Sequence, residues 1–355
     1  MESVLVFPSS TEASLSCLKE ARKWRWRVIG ASSLENDPHK NHYDAWESLP
    51  FIHEDNFVVR LQQIIIQHNI TALSIPHAPS YLRIENIKEL LPNVTLIGNG
   101  PYINQVSVVQ SYLQKAEEGL KLIRKLTGQD NALPKDFLAS LLAHVLPLYG
   151  ESSFQKIIAL CAIFKDAPQG DVIEVGVFFG KSVFVLNRMS AYFNTGATLA
   201  VDAWDKDLSI QKESPQEIQQ LSEVWNWDLV FQGFLINMQA THAGNFNYLR
   251  MSSTQAWKQY NSEKLISSSE FGDTIYKKKI AVLHLDGNHD QASVHEDFKL
   301  WSTNMLPGGW IIFDDYEWSQ GDGPRKLVDR IRSEYQSRIE RFFVEGGAAF
   351  IKLKG

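Results

Sequence analysis

The chain has 355 residues, 44% of them hydrophobic and 21% charged, with a net charge of −6 at pH 7. This is the balance of a globular protein long enough for two cores, and without a long basic run it argues against nucleic acid as a partner. Two cysteines, Cys17 and Cys161, offer no disulfide framework and point to a reducing cytoplasm. No run reaches the roughly eighteen apolar residues of a membrane span, so no membrane partner is expected, and the apolar run in MESVLVFPSS is too short for a signal peptide.

From residue 1 to about 100, short apolar runs alternate with helical patterns. Residues 4–7, 27–31, 72–75 and 95–97 read as strands, and 11–24, 57–68 and 84–91 as helices, an order that predicts a small parallel sheet. Helical patterns then fill 108–167. No phosphate-cradling G-x-x-x-x-G-K-[ST] occurs, so the first part reads as a scaffold, an assembly surface or a recruiting module rather than an ATPase. The expected division is an α/β domain over 1–105, a helical linker over 106–150 and a second domain over 151–355.

Residues 171–175 read as a strand leading into Gly176-Val177-Phe178-Phe179-Gly180-Lys181-Ser182 and a helix over 183–192. Glycines between strand and helix let the backbone approach a ligand lying over the helix amino terminus. This is not the three-glycine dinucleotide fingerprint. The next strand, 198–201, ends in Asp202-Ala203-Trp204-Asp205. An acid at that position accepts hydrogen bonds from both hydroxyls of a ribose; the plainer alternative is that Asp202 caps the turn. Residues 206–245 form an aromatic, helical insertion placed as a lid. A strand at 247–251 ends at Ser252 and Ser253, whose hydroxyls suit an adenine edge, and 258–279 reads as a helix end and flexible loop. The chain has ten tryptophans, mostly beyond residue 200, which serve as core or line a pocket for a ring-bearing substrate.

The densest chemistry lies in 280–318. Two apolar runs, 280–285 and 310–313, suit buried parallel strands, and each ends in aspartate: Asp286 after the first, Asp314 and Asp315 after the second. Val294, Phe298, Trp301 and Met305 recur between them at helical spacing. In a right-handed strand–helix–strand unit both carboxyl ends open on one sheet edge, where α/β proteins bind ligands. Close carboxylates take up protons or recruit a cation, and an all-oxygen set suits Mg²⁺ or Ca²⁺. His289 is then a candidate general base. Against this, each aspartate alone reads equally as a cap or loop residue. Consecutive strand residues also point to opposite faces, so Asp314 and Asp315 meet at one site only if the chain has already left the strand. A helix over 324–338 and strands at 339–344 and 348–352 around Gly346-Gly347 close the sheet with a hairpin.

Taken together, the glycine turn, Asp202, D-G-N-H at 286–289, P-G-G-W-I-I-F-D-D-Y at 307–316 and the closing hairpin resemble the class I S-adenosylmethionine-dependent methyltransferases. Within that class, 150–355 is most similar to the macrocin and mycinamicin O-methyltransferases, which methylate sugar hydroxyls and use Mg²⁺. The resemblance implies a Rossmann-like α/β domain with a seven-stranded sheet and a closing antiparallel hairpin. It implies S-adenosyl-L-methionine held at Glu174, Gly176, Gly180, Ser182, Asp202, Trp204, Ser252 and Asp286, Mg²⁺ or another divalent cation on Asp286, Asp314 and Asp315, and His289 as base. The acceptor it implies is a small molecule, a sugar or other vicinal diol that chelates the ion. The first part, through VLVFPSSTEASLSCLKEAR, VIGASS, LPFIHEDNFVVRLQQIIIQHNITALSI and VTLIG, resembles the pre-ATP-grasp domain of biotin-carboxylase-like and carbamoyl-phosphate-synthetase-like enzymes. Two other classes stand beside this reading. One is an oxidoreductase like the cephalosporin hydroxylase relatives, whose acidic D-x-x-H segments are similar; the other is a non-catalytic cofactor-binding module. The apolar helices of 108–167 suit packing between domains or between subunits, which leaves a homo-oligomer open.

Overall fold

The computed structural model describes residues 2–91, 93–128 and 133–355, which fall into two compact units, Met1–Ser111 and Tyr112–Gly355. In the first, β1 (Ser3–Val6), β2 (Arg27–Ser32), β3 (Ala45–Ser48), β4 (Ala72–Ser74) and β5 (Thr95–Ile97) form a parallel sheet in the order β3-β2-β1-β4-β5, with helices α1 (Glu12–Lys23), α2 (Phe57–His68) and α3 (Ala78–Asn86) between them. The central strand β1 is buried along its length, as a parallel strand covered on both faces must be. The edge strand β3, Ala45-Trp46-Glu47-Ser48, was not expected from the sequence. It is only half buried, so it carries no apolar run to mark it.

The chain continues through α4 (Pro101–Thr127) and α5 (Lys135–Val145) into α6 (Phe154–Ala162), β6 (Asp171–Val175), α7 (Lys181–Phe193), β7 (Thr198–Asp202), α8 (Gln216–Val224), α9 (Trp227–Thr241) and β8 (Phe246–Arg250). It goes on with α10 (Ser253–Ser262), β9 (Leu265–Ser268), β10 (Gly272–Ile275), β11 (Ile280–Leu285), α11 (Gln291–Trp301), β12 (Met305–Phe313), α12 (Gly323–Glu334), β13 (Ile339–Glu345) and β14 (Ala348–Leu353). The main sheet has seven strands in the order β13-β14-β12-β11-β6-β7-β8. Only β14 runs against its neighbours, β12 and β13, which makes the expected closing hairpin. Side-chain alternation splits the sheet's core in two. Val172, Ala200, Val282 and Ile312 face one buried cluster with α5, α6, α7 and α9; Ile173, Leu199, Leu283 and Ile311 face the other with α10, α11 and α12.

Two further features differ from the reading of the sequence. Among the described residues from Tyr112 onward, the helices of the stretch read as a linker contribute to the core: Ala116, Ile123, Leu138 and Leu142 are buried in the first of those clusters. Within 258–279, expected as a helix end and flexible loop, β9 and β10 form an antiparallel pair. Its polar residues hide the pairing, which is fastened from outside by Asn247, whose Nδ2 donates to the carbonyls of Ile266 and Gly272, both at 2.9 Å. Among the described residues no helix is long and apolar enough to cross a membrane.

Candidate active site at the carboxyl edge of the main sheet

The carboxyl ends of β6, β7, β11 and β12 open into a cavity of about 530 Å³, within the range of small-ligand sites. Its floor begins with Gly176 at φ 85°, where an added Cβ would lie 2.1 Å from the Asp286 carbonyl oxygen. Glycine is therefore required because the loops after β6 and β11 cross there. Phe178, also left-handed at φ 53°, stands with Phe179 against Tyr149 and Trp225 at centroid distances of 4.8–6.0 Å. Of these, Tyr149, Phe178 and Phe179 form an aromatic wall of the cavity.

Asp202 lines the cavity, but both of its oxygens already accept backbone hydrogen bonds. Oδ2 accepts from Val177 N (2.8 Å) and Phe178 N (3.0 Å), and Oδ1 from Trp204 N (2.8 Å). The carboxylate that the sequence offers to a ribose thus also fixes the glycine loop. Ser252 lines the cavity and caps α10, accepting from Gln255 N at 3.4 Å.

Three of the residues expected to hold a cofactor do not line the cavity. Glu174 is fully buried, where it accepts from Ser182 Oγ and pairs with Nδ1 of His284 at 2.7 Å. Strands β6 and β11 put Glu174 and His284 in register, so the acid faces a neighbouring strand rather than the cavity. The Trp204 ring packs on Phe231 and Phe234 while its Nε1 donates to Phe178 O at 2.8 Å. Gly180, at φ 90°, starts α7 beside Phe234. Each shapes the loop from behind, whereas Gly176, Ser182, Asp202, Ser252 and Asp286 reach the cavity.

At the other end Asp286, His289, Asp314 and Asp315 all line the cavity. The condition that the chain has already left the strand at Asp314 and Asp315 is met, since β12 ends at Phe313 and Asp315 takes φ 52°. His289 Nε2 lies 3.0 Å from Asp315 Oδ2, and the imidazole stands edge-on to Trp318 at 5.1 Å.

One residue here was missed from the sequence. Lys156, on α6, is 1% exposed, and its Nζ donates to Asp286 Oδ2 at 3.0 Å and to Asp314 Oδ2. Burial works to discharge the ammonium, but the Asp286 and Asp314 carboxylates overcome it and hold the lysine above its ordinary range. Burial likewise opposes the charge on Asp314, yet Lys156 keeps that carboxyl well below the usual value. Asp286 is driven the other way, well above the carboxylate range, by burial and by the adjacent Asp314 charge. The available signal was a lone lysine in the apolar run FQKIIALCAIF.

The expected divalent-ion site does not fit this arrangement. Two of its three aspartates turn Oδ2 onto a buried ammonium, which an ion held by all three would have to displace. Asp286, His289 and Asp315 still bring ligand atoms within 4.8 Å of one another, but the imidazole departs from the oxygen set that Mg²⁺ takes.

The D-G-N-H-D segment also clasps the insertion. Asn288 Nδ2 donates to Ile210 O at 2.8 Å, and Asp290 accepts from Lys212 N and Glu213 N, both at 2.9 Å. The loop so held brings Leu208, Ser209 and Gln211 to the cavity. Helix α9 of the insertion differs from the expected lid: its Phe234 and Met238 are core.

Residues 173–316, the stretch that carries most of the cavity's lining, match the family described as "Methyltransferase domain". No curated protein matches the chain. Among solved structures, the O-methyltransferase NovP is 13% identical with a TM-score of 0.41, over 70% of this chain and 100% of that one. The calicheamicin methyltransferase CalS11 is 12% identical with a TM-score of 0.42, over 67% and 91%. MycE from the mycinamycin pathway, in complex with Mg and SAH, is 16% identical with a TM-score of 0.37, over 61% and 54%. Likeness at this level assigns neither substrate nor metal to this chain.

Proposed function

We propose that the protein is an S-adenosyl-L-methionine-dependent O-methyltransferase acting on a hydroxyl of a small molecule such as a sugar. One observation carries the reading: the stretch matched as a methyltransferase domain contains most of the cavity's polar lining, from Gly176 and Ser182 through Asp202 and Ser252 to Asp286, His289, Asp314 and Asp315. The seven-stranded sheet with only the last strand reversed also agrees with the closing hairpin that the resemblance to class I methyltransferases implies.

The donor, when bound, supplies a methyl group on a sulfonium that an oxygen nucleophile attacks in line. This chain's residues would hold the adenosyl part between Asp202 and Ser252, with the aromatic wall beside it. The acceptor hydroxyl would lie at the acidic end, where His289 removes its proton and Asp315 orients the imidazole. Holding two reactants in line supplies much of the rate. A vicinal diol was expected because it chelates an ion; the proposal asks for one hydroxyl only. For the first unit, the sequence resemblance to pre-ATP-grasp domains and the parallel sheet support a scaffold or recruiting role.

The test is transfer of labelled methyl from S-adenosylmethionine to a panel of small hydroxylated acceptors. Transfer to any of them supports the reading. Failure across the panel, with a nicotinamide cofactor bound instead, would favour the oxidoreductase class.

A further inference from the structure

We infer that Lys156 is a built-in cation occupying the place of a divalent metal at the acidic end of the cavity, so that this protein works without one. The claim rests on the methyltransferase reading only where it speaks of turnover; what occupies the acidic end is independent of it.

Asp286 and Asp314 close two adjacent parallel strands, and the ammonium bridges their Oδ2 atoms as an ion would. A lysine is costly to bury unpaired. This one sits beside Ile157 and Ile158, both fully buried, so its position depends on those two carboxylates and theirs on it. The fold also makes room for its delivery. Gly346, in the β13–β14 turn at φ 61°, faces the start of α6, and a Cβ there would lie 2.4 Å from Lys156 N and 2.7 Å from Ser153 Oγ. Ser153 caps the same helix, accepting from Lys156 N at 3.1 Å. The bare turn and the cap set α6 close enough for the side chain to span to the strand ends.

An ammonium differs from a divalent ion in what it can do for an acceptor. It is a compact single charge, two of whose three donors are taken by the aspartates, with no open coordination position for two vicinal oxygens. Acceptor recognition then falls to hydrogen bonds at Asp315 and His289, and a lone hydroxyl suffices.

The test is titration of Mn²⁺ into the metal-stripped full-length chain, followed by electron paramagnetic resonance, for the wild type and Lys156→Met. The wild type should take up no stoichiometric ion. The variant, with Asp286 and Asp314 left without their ammonium, should bind one Mn²⁺ at least about tenfold more tightly, equivalent to about 1.4 kcal/mol. One Mn²⁺ bound equally well by both proteins overturns the inference, as does a folded variant that binds none. Should Lys156→Met not fold, the wild-type melting temperature decides: it should be the same in Mn²⁺ as in chelator, and a rise with Mn²⁺ shows an ion bound to the native state and overturns it. None of these readouts uses donor or acceptor, so a failed methyl-transfer assay leaves them standing.

Discussion

His289 Nε2 and Asp315 Oδ2 lie 3.0 Å apart on the wall of the cavity, one from the loop after β11 and the other from the turn after β12. In the proposed reaction this imidazole is the proton acceptor. Replacing His289 with Gln should lower kcat by roughly a hundred- to ten-thousand-fold, the range of a lost general base. S-adenosylhomocysteine affinity, measured by calorimetry, should be unchanged, because the adenosyl contacts lie elsewhere.

Glu174 lies in the core and does not line the cavity. Glu174→Ala leaves Ser182 Oγ and His284 Nδ1 without their partner in the core, at a cost of roughly 1–3 kcal/mol for each group left unsatisfied. Urea denaturation should show this loss. A variant of wild-type stability that only weakens cofactor binding would instead place Glu174 on the ligand.

Asp297 lines the cavity, and burial pushes its carboxyl up to about 6. The folded state therefore binds a proton that the unfolded chain has already released above about pH 3.9. This stabilisation is fully present below that pH and is lost as pH rises through about 6. The stability of Asp297→Asn relative to wild type should accordingly improve between pH 4 and pH 7, as followed by thermal melts in a series of buffers. A difference independent of pH would contradict the assignment.

Asp290 holds the loop over the cavity through two backbone amides. Asp290→Ala should free it, and trypsin should then cut after Lys206 and Lys212 faster than in wild type. Equal cleavage rates would mean that the clasp does not hold the loop.

How far the sequence could be read follows from which residues decide the outcome by themselves. Strands β6 and β11 are buried along their length and so read as mostly apolar runs, interrupted by Glu174 and His284, and Gly346-Gly347 marks the final hairpin. The convergence of Asp286, Asp314 and Asp315 on one edge follows from strand ends alone. The direction in which each acid points does not. Glu174 meets His284 because of strand register, Trp204 turns inward because Phe231 and Phe234 wait there, and Asp315 reaches the cavity through a left-handed backbone that no neighbouring residue signals. Lys156 was hidden because it sits 130 residues from Asp286 and 158 from Asp314. Nothing local to α6 says which strand ends it will reach.

The central claim, an adenosyl donor bound in this cavity, is tested most directly by calorimetric titration of S-adenosylhomocysteine into the full chain. The account predicts saturable binding at one site per chain, weakened by Asp202→Ala, with no heat from a nicotinamide dinucleotide. No binding of S-adenosylhomocysteine, or preference for the dinucleotide, would contradict it.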